Sequence, residues 1–231
     1  MRKKEKVGVI IPAGGFGKRF GAKKPKQLVE INGVPVLQQT LQKFQTCPAV
    51  DFIVVSSHPK YITDVEKIIK RNKFTKIISV VRGGRHRQDS VWNAVREIVK
   101  HQPDVILIHD AVRPFVSGKL IIKIIQAAKK YEAAVPALPS KDTIKTSDGK
   151  GFLINTPDRN ILFAVQTPQG FKTKVIVEAF QKAYVDKFYG TDDSSLVERL
   201  GKKVKIVEGE YRNIKITTKE DIHYASYHYK P

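Results

Sequence analysis

The chain has 231 residues, a net charge of +20 and a hydrophobic fraction of 41%, which suits one α/β domain with a substantial core. Its single cysteine, Cys47, excludes an intrachain disulfide and a cysteine-based zinc cluster. No apolar stretch is long enough for a membrane span, and the run after the basic N-terminal hexapeptide is too short for a signal peptide, so we expect a cytoplasmic protein.

The excess of basic residues predicts an anionic partner. These residues are spread along the chain, and few aromatic residues are interleaved closely enough among them to stack on bases. Small phosphorylated substrates therefore explain the charge better than nucleic acid does, and neither nucleic acid nor a membrane is expected as a partner.

The first apolar run, Val7–Ile11, predicts a buried strand that ends at Pro12. The loop after it begins with three closely spaced glycines, Gly14, Gly15 and Gly17, and continues with five cations, Lys18, Arg19, Lys23, Lys24 and Lys26. Glycines let backbone N–H groups approach a ligand closely, and such a loop is suited to phosphate oxygens. The alternative is a glycine-rich turn with a solvated basic face.

Two common glycine motifs are excluded in this loop. A P-loop would require glycine where Pro12 stands and a hydroxyl residue where Arg19 stands. A dinucleotide-binding fingerprint would require a small residue at Phe20. Phosphate binding by this loop would therefore follow neither the P-loop pattern nor the dinucleotide-binding pattern.

Apolar runs alternate with amphipathic helical patterns along the chain, which predicts a mostly parallel, Rossmann-like sheet covered by helices. Further strands are predicted at Phe52–Ser56, Lys76–Val81, Val105–His109, Ala133–Ala137, Val204–Val207 and Ile214–Thr217. Helices are predicted at Val36–Phe44, Ile62–Arg71, Ser90–Val99, from Ser117 to about Lys130, at Thr173–Val185, at Ser194–Leu200, and after a Thr218–Asp221 capping box.

Residues 138–160 interrupt this rhythm. Short alternating segments at Thr143–Thr146 and Phe152–Asn155 flank Asp148-Gly149, which is a strong hairpin signal. An isolated hairpin is marginally stable in water, so we expect this arm to pack on a second subunit. The chain is accordingly interpreted as a single domain, residues 1–231, with an arm for dimerisation.

Candidate site residues follow three predicted strands. They lie in the glycine-rich loop after the first strand, in Gly83–Ser90 and in Asp110–Arg113. Ligands of open α/β sheets bind at the carboxyl ends of the strands. We therefore expect these three segments to meet at one sheet edge.

Several separated motifs resemble one enzyme family. PAGGFGKRF followed by PKQ resembles the nucleotide-binding signature of the cytidylyltransferases that activate sugar-alcohol phosphates with CTP. The resemblance continues in order through HDAVRPF, KDTIK, TPDRN, QTPQGF, TDDSS and NIKIT, and so covers nearly the whole chain. Within that family, the motifs most resemble the enzymes that act on methylerythritol phosphate in non-mevalonate isoprenoid synthesis.

The resemblance implies roles for individual residues. The family's catalytic cations correspond to Arg19 and Lys26, which would stabilise the charge that builds on the phosphate under attack. Nucleotide-binding residues would be Ala13, Gly14, Gly15, Gly17, Gly84, Arg87, Ser90, Asp110 and Ala111. Lys18, Lys23 and Lys24 are predicted to be surface cations. Arg85 stands where relatives often have an acid, which bears on base selection only if its side chain is used.

The acceptor-binding residues implied in the same way are Arg113, Thr143, Arg159, Thr167 and Lys215. Thr143 and Arg159 lie on or beside the arm, so they would reach a neighbouring subunit's site. The resemblance also implies a divalent cation, Mg²⁺, which Asp110 would help to place, directly or through water. His109 is assigned no catalytic role, and Asp192 and Asp193 are predicted to position a helix start.

Two other functions remain open from the sequence. A ribitol 5-phosphate acceptor is the nearest, because HDAVRPF does not separate it from the erythritol compound, although KDTIK, TPDRN and TDDSS favour the latter. The other is a protein that keeps the fold but has lost catalysis and binds nucleotide or nucleic acid. The presence of Arg19 and Lys26 argues against that function.

Overall fold

The computed structural model describes residues 5–15 and 25–228, and within them the predicted strands and helices alternate. The strands are β1 Val7–Ala13, β2 Glu30–Ile31, β3 Val34–Pro35, β4 Phe52–Ser57, β5 Ile77–Arg82, β6 Val105–Ile108, β7 Ala133–Pro139, β8 Thr146–Ser147, β9 Leu153–Asn155, β10 Phe163–Val165, β11 Gln169–Lys172 and β12 Lys205–Glu208. The helices are α1 Val36–Gln45, α2 Ile62–Arg71, α3 Arg87–Ile98, α4 Gly118–Tyr131, α5 Thr173–Val185, α6 Ser194–Arg199 and α7 Lys219–His228. None of the described helices is long and apolar enough to cross a membrane.

The central sheet has the strand order β10-β7-β11-β6-β1-β4-β5, with β12 paired to β7. The pairs β1–β4, β1–β6, β4–β5 and β7–β12 are parallel. The pairs that involve β10 and β11 are antiparallel. The predicted α/β class with a helix-covered sheet is confirmed, and the sheet is mixed.

Both faces of β1 are covered by helices, which explains its unbroken apolar run. Val9 and Ile11 pack in one buried cluster with residues of α1 and α4. Ile10 faces the other cluster, with residues of α3 and α5. Helix α3 approaches β1 so closely that a Cβ on Gly8 would lie 2.7 Å from Cδ1 of Ile98.

Two predictions about strands were wrong. β1 continues through Pro12 to Ala13. The proline is tolerated because β6 pairs with β1 only as far as Ile10, so Pro12 has one neighbouring strand, β4. The segment Ile214–Thr217, predicted as a strand, does not pair with any strand of the sheet. Its Ile216 N–H donates a hydrogen bond to the backbone carbonyl of Val112, a pocket residue, at 2.9 Å.

Helix α3 begins three residues before the predicted Ser90. The carboxylate of Asp89 accepts a hydrogen bond from the His86 backbone N–H at 2.9 Å, and this contact supports an earlier first turn. The predicted caps of two other helices are confirmed: Ser117 Oγ accepts from the Leu120 N–H at 3.0 Å, and Asp221 Oδ2 accepts from the Thr218 N–H at 2.8 Å.

The predicted hairpin is confirmed, with β8 and β9 antiparallel around Asp148-Gly149. Asp148 Oδ1 accepts from the N–H groups of Lys150 and Phe152, at 2.7 and 3.1 Å. The large apolar side chains of this region are exposed, namely Ile144, Phe152, Leu153, Ile154, Ile161, Phe163 and Val165. The arm therefore carries an apolar surface that the described chain does not cover.

Candidate active site

One pocket opens at the carboxyl ends of β1, β5 and β6, as the three sequence segments predict. The predicted site residues that line it are Ala13, Gly14, Gly15, Lys26, Gly84, Arg87, Ser90, Asp110, Ala111 and Lys215. Arg113 and Thr167 line an adjoining cavity, which shares Arg87, Asp110 and Lys215 with the first. Gly17 and Arg19 lie outside the described residues.

The wall of the pocket next to α3 is built around the hydroxyl of Ser90. Its Oγ accepts from the Gly84 N–H at 3.0 Å and donates to the His86 carbonyl at 3.1 Å. A Cβ on Gly14 would come within 3.1 Å of the same oxygen, and a Cβ on Gly84 would collide with Asp89. Glycine is thus required at Gly84, whereas a Cβ at Gly14 would need only a small shift of Ser90. Ser90 holds the loop after β5 in place.

Lys26 also lines the pocket, at the start of a short 3₁₀ helix, Lys26–Leu28. The next side chain, Gln27, is buried and its Nε2 donates to the Ala13 carbonyl at 2.5 Å. This bond ties the turn that carries Lys26 to the end of β1. Sequence reasoning missed Gln27, although it stands inside the PKQ motif.

Asp110 is the electrostatic centre of the pocket. Its carboxylate contacts Lys215 Nζ at 2.8 Å, Arg87 Nε at 3.4 Å and Arg113 Nε at 3.5 Å. Burial by itself would raise the pKa of this carboxyl group, but the three cations hold the pKa far below its ordinary value. Asp110 is therefore ionised at any physiological pH, and it fixes the positions of three cations.

Arg87 links this centre to a distant loop. Its Nη2 donates to Asp193 Oδ2 at 2.7 Å while its Nε faces Asp110. Burial acts to lower the pKa of Arg87, and the carboxylates of Asp193 and Asp110 outweigh it and raise the pKa. Asp193 precedes α6, as predicted, but its carboxylate pairs with Arg87. The sequence contains no signal for this pairing, because the partners are 106 positions apart.

His109 is fully buried beneath the pocket. Its Nδ1 lies 3.0 Å from Thr167 Oγ1, and its Nε2 lies 3.0 Å from the Arg113 carbonyl oxygen. Burial lowers the pKa of His109 to about 4, chiefly because the protonated ring would lose its hydration. The ring is therefore neutral at physiological pH.

This pKa predicts a loss of stability in mild acid. The unfolded chain takes up a proton at His109 near its ordinary pKa of 6.5, whereas the folded chain does so only near 4. Stability contributed by the neutral ring is thus present above about pH 6.5 and is lost as the pH falls toward about 4. Between about pH 7.5 and about pH 4.5, wild type should lose about 2 kcal/mol more unfolding free energy than His109→Gln. Urea denaturation at both pH values measures this difference.

The exposed His101, at the amino end of β6, provides the control. His101→Gln makes the same substitution at an exposed position and measures what a histidine-to-glutamine change does outside the buried site. An unchanged pH dependence in a folded His109→Gln protein would contradict the low pKa of His109.

The last two predicted residues lie on the arm, away from this chain's own pocket. Thr143 is exposed. Arg159 is also exposed, and its Nη1 donates to the Lys141 carbonyl at 3.3 Å. Neither residue lines the pocket or the adjoining cavity.

A glycine-rich loop and a lysine face a carboxylate surrounded by cations, at the carboxyl edge of an α/β sheet. This fold and site define the class of nucleotidyltransferases. A family model described as IspD, 2-C-methyl-D-erythritol 4-phosphate cytidylyltransferase, matches residues 7–230. The chain therefore belongs to the 2-C-methyl-D-erythritol 4-phosphate cytidylyltransferase family, which confirms the family predicted from the motifs.

Relatives and solved structures agree with this assignment. The cytidylyltransferase of that name from Syntrophus aciditrophicus is 44% identical over 220 residues, which cover 95% of this chain and 94% of the relative. The structure of 4-diphosphocytidyl-2C-methyl-D-erythritol synthase from Anaerococcus prevotii matches with a TM-score of 0.85 and 33% identity, and covers 96% of this chain and 95% of that one. The Thermus thermophilus cytidylyltransferase structure matches with a TM-score of 0.77 and 30% identity, and covers 96% of this chain and 98% of that one.

Proposed function

We propose that this chain transfers CMP from CTP to 2-C-methyl-D-erythritol 4-phosphate and releases pyrophosphate. The observation that carries the proposal is the pocket at the carboxyl edge of the sheet, where the glycine loop, Lys26 and the cation-bound Asp110 converge. Family membership over residues 7–230 supports the same reaction. A cytoplasmic location stays a prediction from the sequence.

In this reaction, a phosphate oxygen of the acceptor attacks the α-phosphorus of CTP. The bond from that phosphorus to the bridging oxygen breaks, and pyrophosphate leaves with the electron pair. Negative charge builds on the α-phosphate oxygens, so fixed cations are the main catalytic requirement. Lys26 and Arg19 meet that requirement in our proposal, and Lys215 and Arg113 attract the acceptor phosphate.

The residues present fit a Mg²⁺ ion held largely by substrate. Among the described residues, no group of three or more His, Cys, Asp or Glu side chains could enclose a metal by itself. Mg²⁺ commonly takes one or two carboxylates and completes its shell with phosphate oxygens and water. Both oxygens of Asp110 already pair with cations, so in this proposal Asp110 would contact the ion through water, and the ion would neutralise phosphate charge when bound.

We also propose that the enzyme is a homodimer formed through the arm. The exposed Phe152, Leu153 and Ile154 make up an apolar patch on a hairpin that has little of its own chain to pack against. Thr143 and Arg159 lie in this region and away from their own pocket. A second copy would cover the patch and receive both side chains in its acceptor site.

The reaction is tested by measuring pyrophosphate release from CTP, ATP and GTP with either methylerythritol phosphate or ribitol 5-phosphate. We expect CTP to be used much better than either purine nucleotide, since Gly14, Gly84 and Ser90 line the pocket and match the positions that hold cytidine in the family. Methylerythritol phosphate should be the better acceptor. Comparable rates with ATP would contradict the proposed preference for CTP. A preference for ribitol 5-phosphate would contradict methylerythritol phosphate as the acceptor.

A further inference from the structure

Beneath the pocket, four buried residues form a closed ring of side-chain and backbone hydrogen bonds, and the reaction as described gives no role to two of them, His109 and Asn213. They are His109, Arg113, Thr167 and Asn213, and each is at most 9% exposed. His109 contacts Thr167 Oγ1 and the Arg113 carbonyl. Arg113 Nη1 donates to the Asn213 carbonyl at 2.8 Å, and Asn213 Nδ2 donates to the Thr167 carbonyl at 2.8 Å, which closes the ring.

The chemistry of the partners determines where the protons of this ring lie. The Arg113 carbonyl oxygen only accepts, so His109 Nε2 must carry a hydrogen. The Asp110 backbone N–H donates to Thr167 Oγ1 at 3.1 Å, so the hydroxyl hydrogen is available for His109 Nδ1. His109 is thus a neutral ring protonated at Nε2, and its two nitrogens have opposite roles.

The ring surrounds the turn that carries the electrostatic centre. His109 and Thr167 hold the two ends of the segment from Asp110 to Arg113, one through the Arg113 carbonyl and the other through the Asp110 N–H. A small displacement of this segment would move the Asp110 carboxylate relative to Lys215 and Arg113. Errors of about 1 Å in such placements cost up to about 10²-fold in rate.

We propose that His109 is a positioning residue, which acts as a neutral Nε2–H imidazole with Thr167 to hold the Asp110–Arg113 turn for the acceptor phosphate. It is fully buried and lines neither cavity, so it acts through other residues and not on the substrate itself. The proposal rests on the proposed function for its kinetic consequence. Its structural part, the tautomer, is independent of the reaction.

The first experiment is kinetic. His109→Gln satisfies at most one of the two partners, because one amide group does not span both sides of the ring. We expect kcat/KM for the acceptor to fall on the order of tenfold or more, while KM for CTP stays within about twofold. A purely structural defect would lower the fraction of active protein and leave both KM values unchanged. His101→Gln is the control, and its kcat/KM for the acceptor and its KM for CTP should match those of wild type.

A double-mutant cycle with Thr167→Val separates this role from direct binding by Thr167. If the two residues act as a unit, His109→Gln combined with Thr167→Val loses little more activity than either change alone. Losses that multiply, or an unchanged acceptor kcat/KM in folded His109→Gln, would overturn the proposal.

Nitrogen-15 NMR of histidine-labelled wild type tests the tautomer without any substrate. The His109 signals, assigned by their disappearance in His109→Gln, should show protonated Nε2 and unprotonated Nδ1 at neutral pH. The opposite tautomer or an imidazolium would overturn the proposal even if the transferase assay succeeds. Failure of the assay with the expected NMR pattern would instead count against the proposed reaction.

Discussion

Replacement of Lys26 by alanine is expected to lower turnover by on the order of 10²-fold or more while the fold stays intact. Lys26 lines the pocket and follows the glycine-rich loop in the sequence, and Gln27 anchors its turn to the end of β1. A cation held in this way needs little rearrangement as charge builds on the α-phosphate, and that preorganisation makes its loss costly. Arg19→Ala is expected to have an effect of the same size.

The measurement is steady-state pyrophosphate release, with thermal unfolding as the check on folding. Lys24→Ala is the matched control, because it removes the same charge two positions away and should leave turnover within about threefold of wild type. Near-normal turnover in folded Lys26→Ala would remove this lysine from the mechanism. Equal losses in both variants would show that the overall field of the loop matters, and not the position of Lys26.

Mixed dimers of Lys26→Ala with Arg159→Ala are expected to regain activity that neither variant has alone. If Arg159 serves the partner's pocket, a mixed dimer contains one doubly damaged site and one intact site. Random re-pairing gives about half mixed dimers under two-fold symmetry, so activity should recover to about a quarter of wild type. The two variants are dissociated together, reassembled and assayed for pyrophosphate release.

Subunit exchange is confirmed with tagged copies and mass measurement. Lys150→Ala, in the turn of the same hairpin, is the control for loss of an arm cation and should remain active. Confirmed exchange with no activity above that of the separate variants would place Arg159 in its own subunit's site or outside the site. A chain that stays monomeric would contradict the proposed dimer itself.

The site residues that the sequence predicted to lie together are those that directly follow a predicted strand. Apolar runs mark β1, β5 and β6, and parallel strands bring their carboxyl ends to one edge, so Gly14, Gly84 and Asp110 were expected to meet. Strands β10 and β11 were not predicted. They are three and four residues long, too short for periodicity, and they exist because distant strands, β7 and β6, pair with them.

For two site residues, the sequence predicted that they belong to the site, and the structure revealed which partners their side chains take. Ser90 and Arg87 were predicted to bind nucleotide, and both line the pocket, but the hydroxyl of Ser90 holds the Gly84 loop and the guanidinium of Arg87 bridges Asp110 and Asp193. Residue type indicates which bonds a side chain makes, and only its neighbours in space determine which partner it takes.

The sequence by itself determined the α/β class, the glycines that enter the pocket after β1, the hairpin arm and the family. Each of these depends on residues close together in the chain, where apolar periodicity and turn residues act locally. The tertiary structure decided the mixed sheet, the ion pair of Arg87 with Asp193 and the buried ring around His109. Most of these depend on contacts between residues far apart in the chain, such as Phe163 with Pro139 in the sheet, Thr167 with His109 in the ring, and Arg87 with Asp193, which are 106 positions apart. Such contacts form only when the fold brings the segments together.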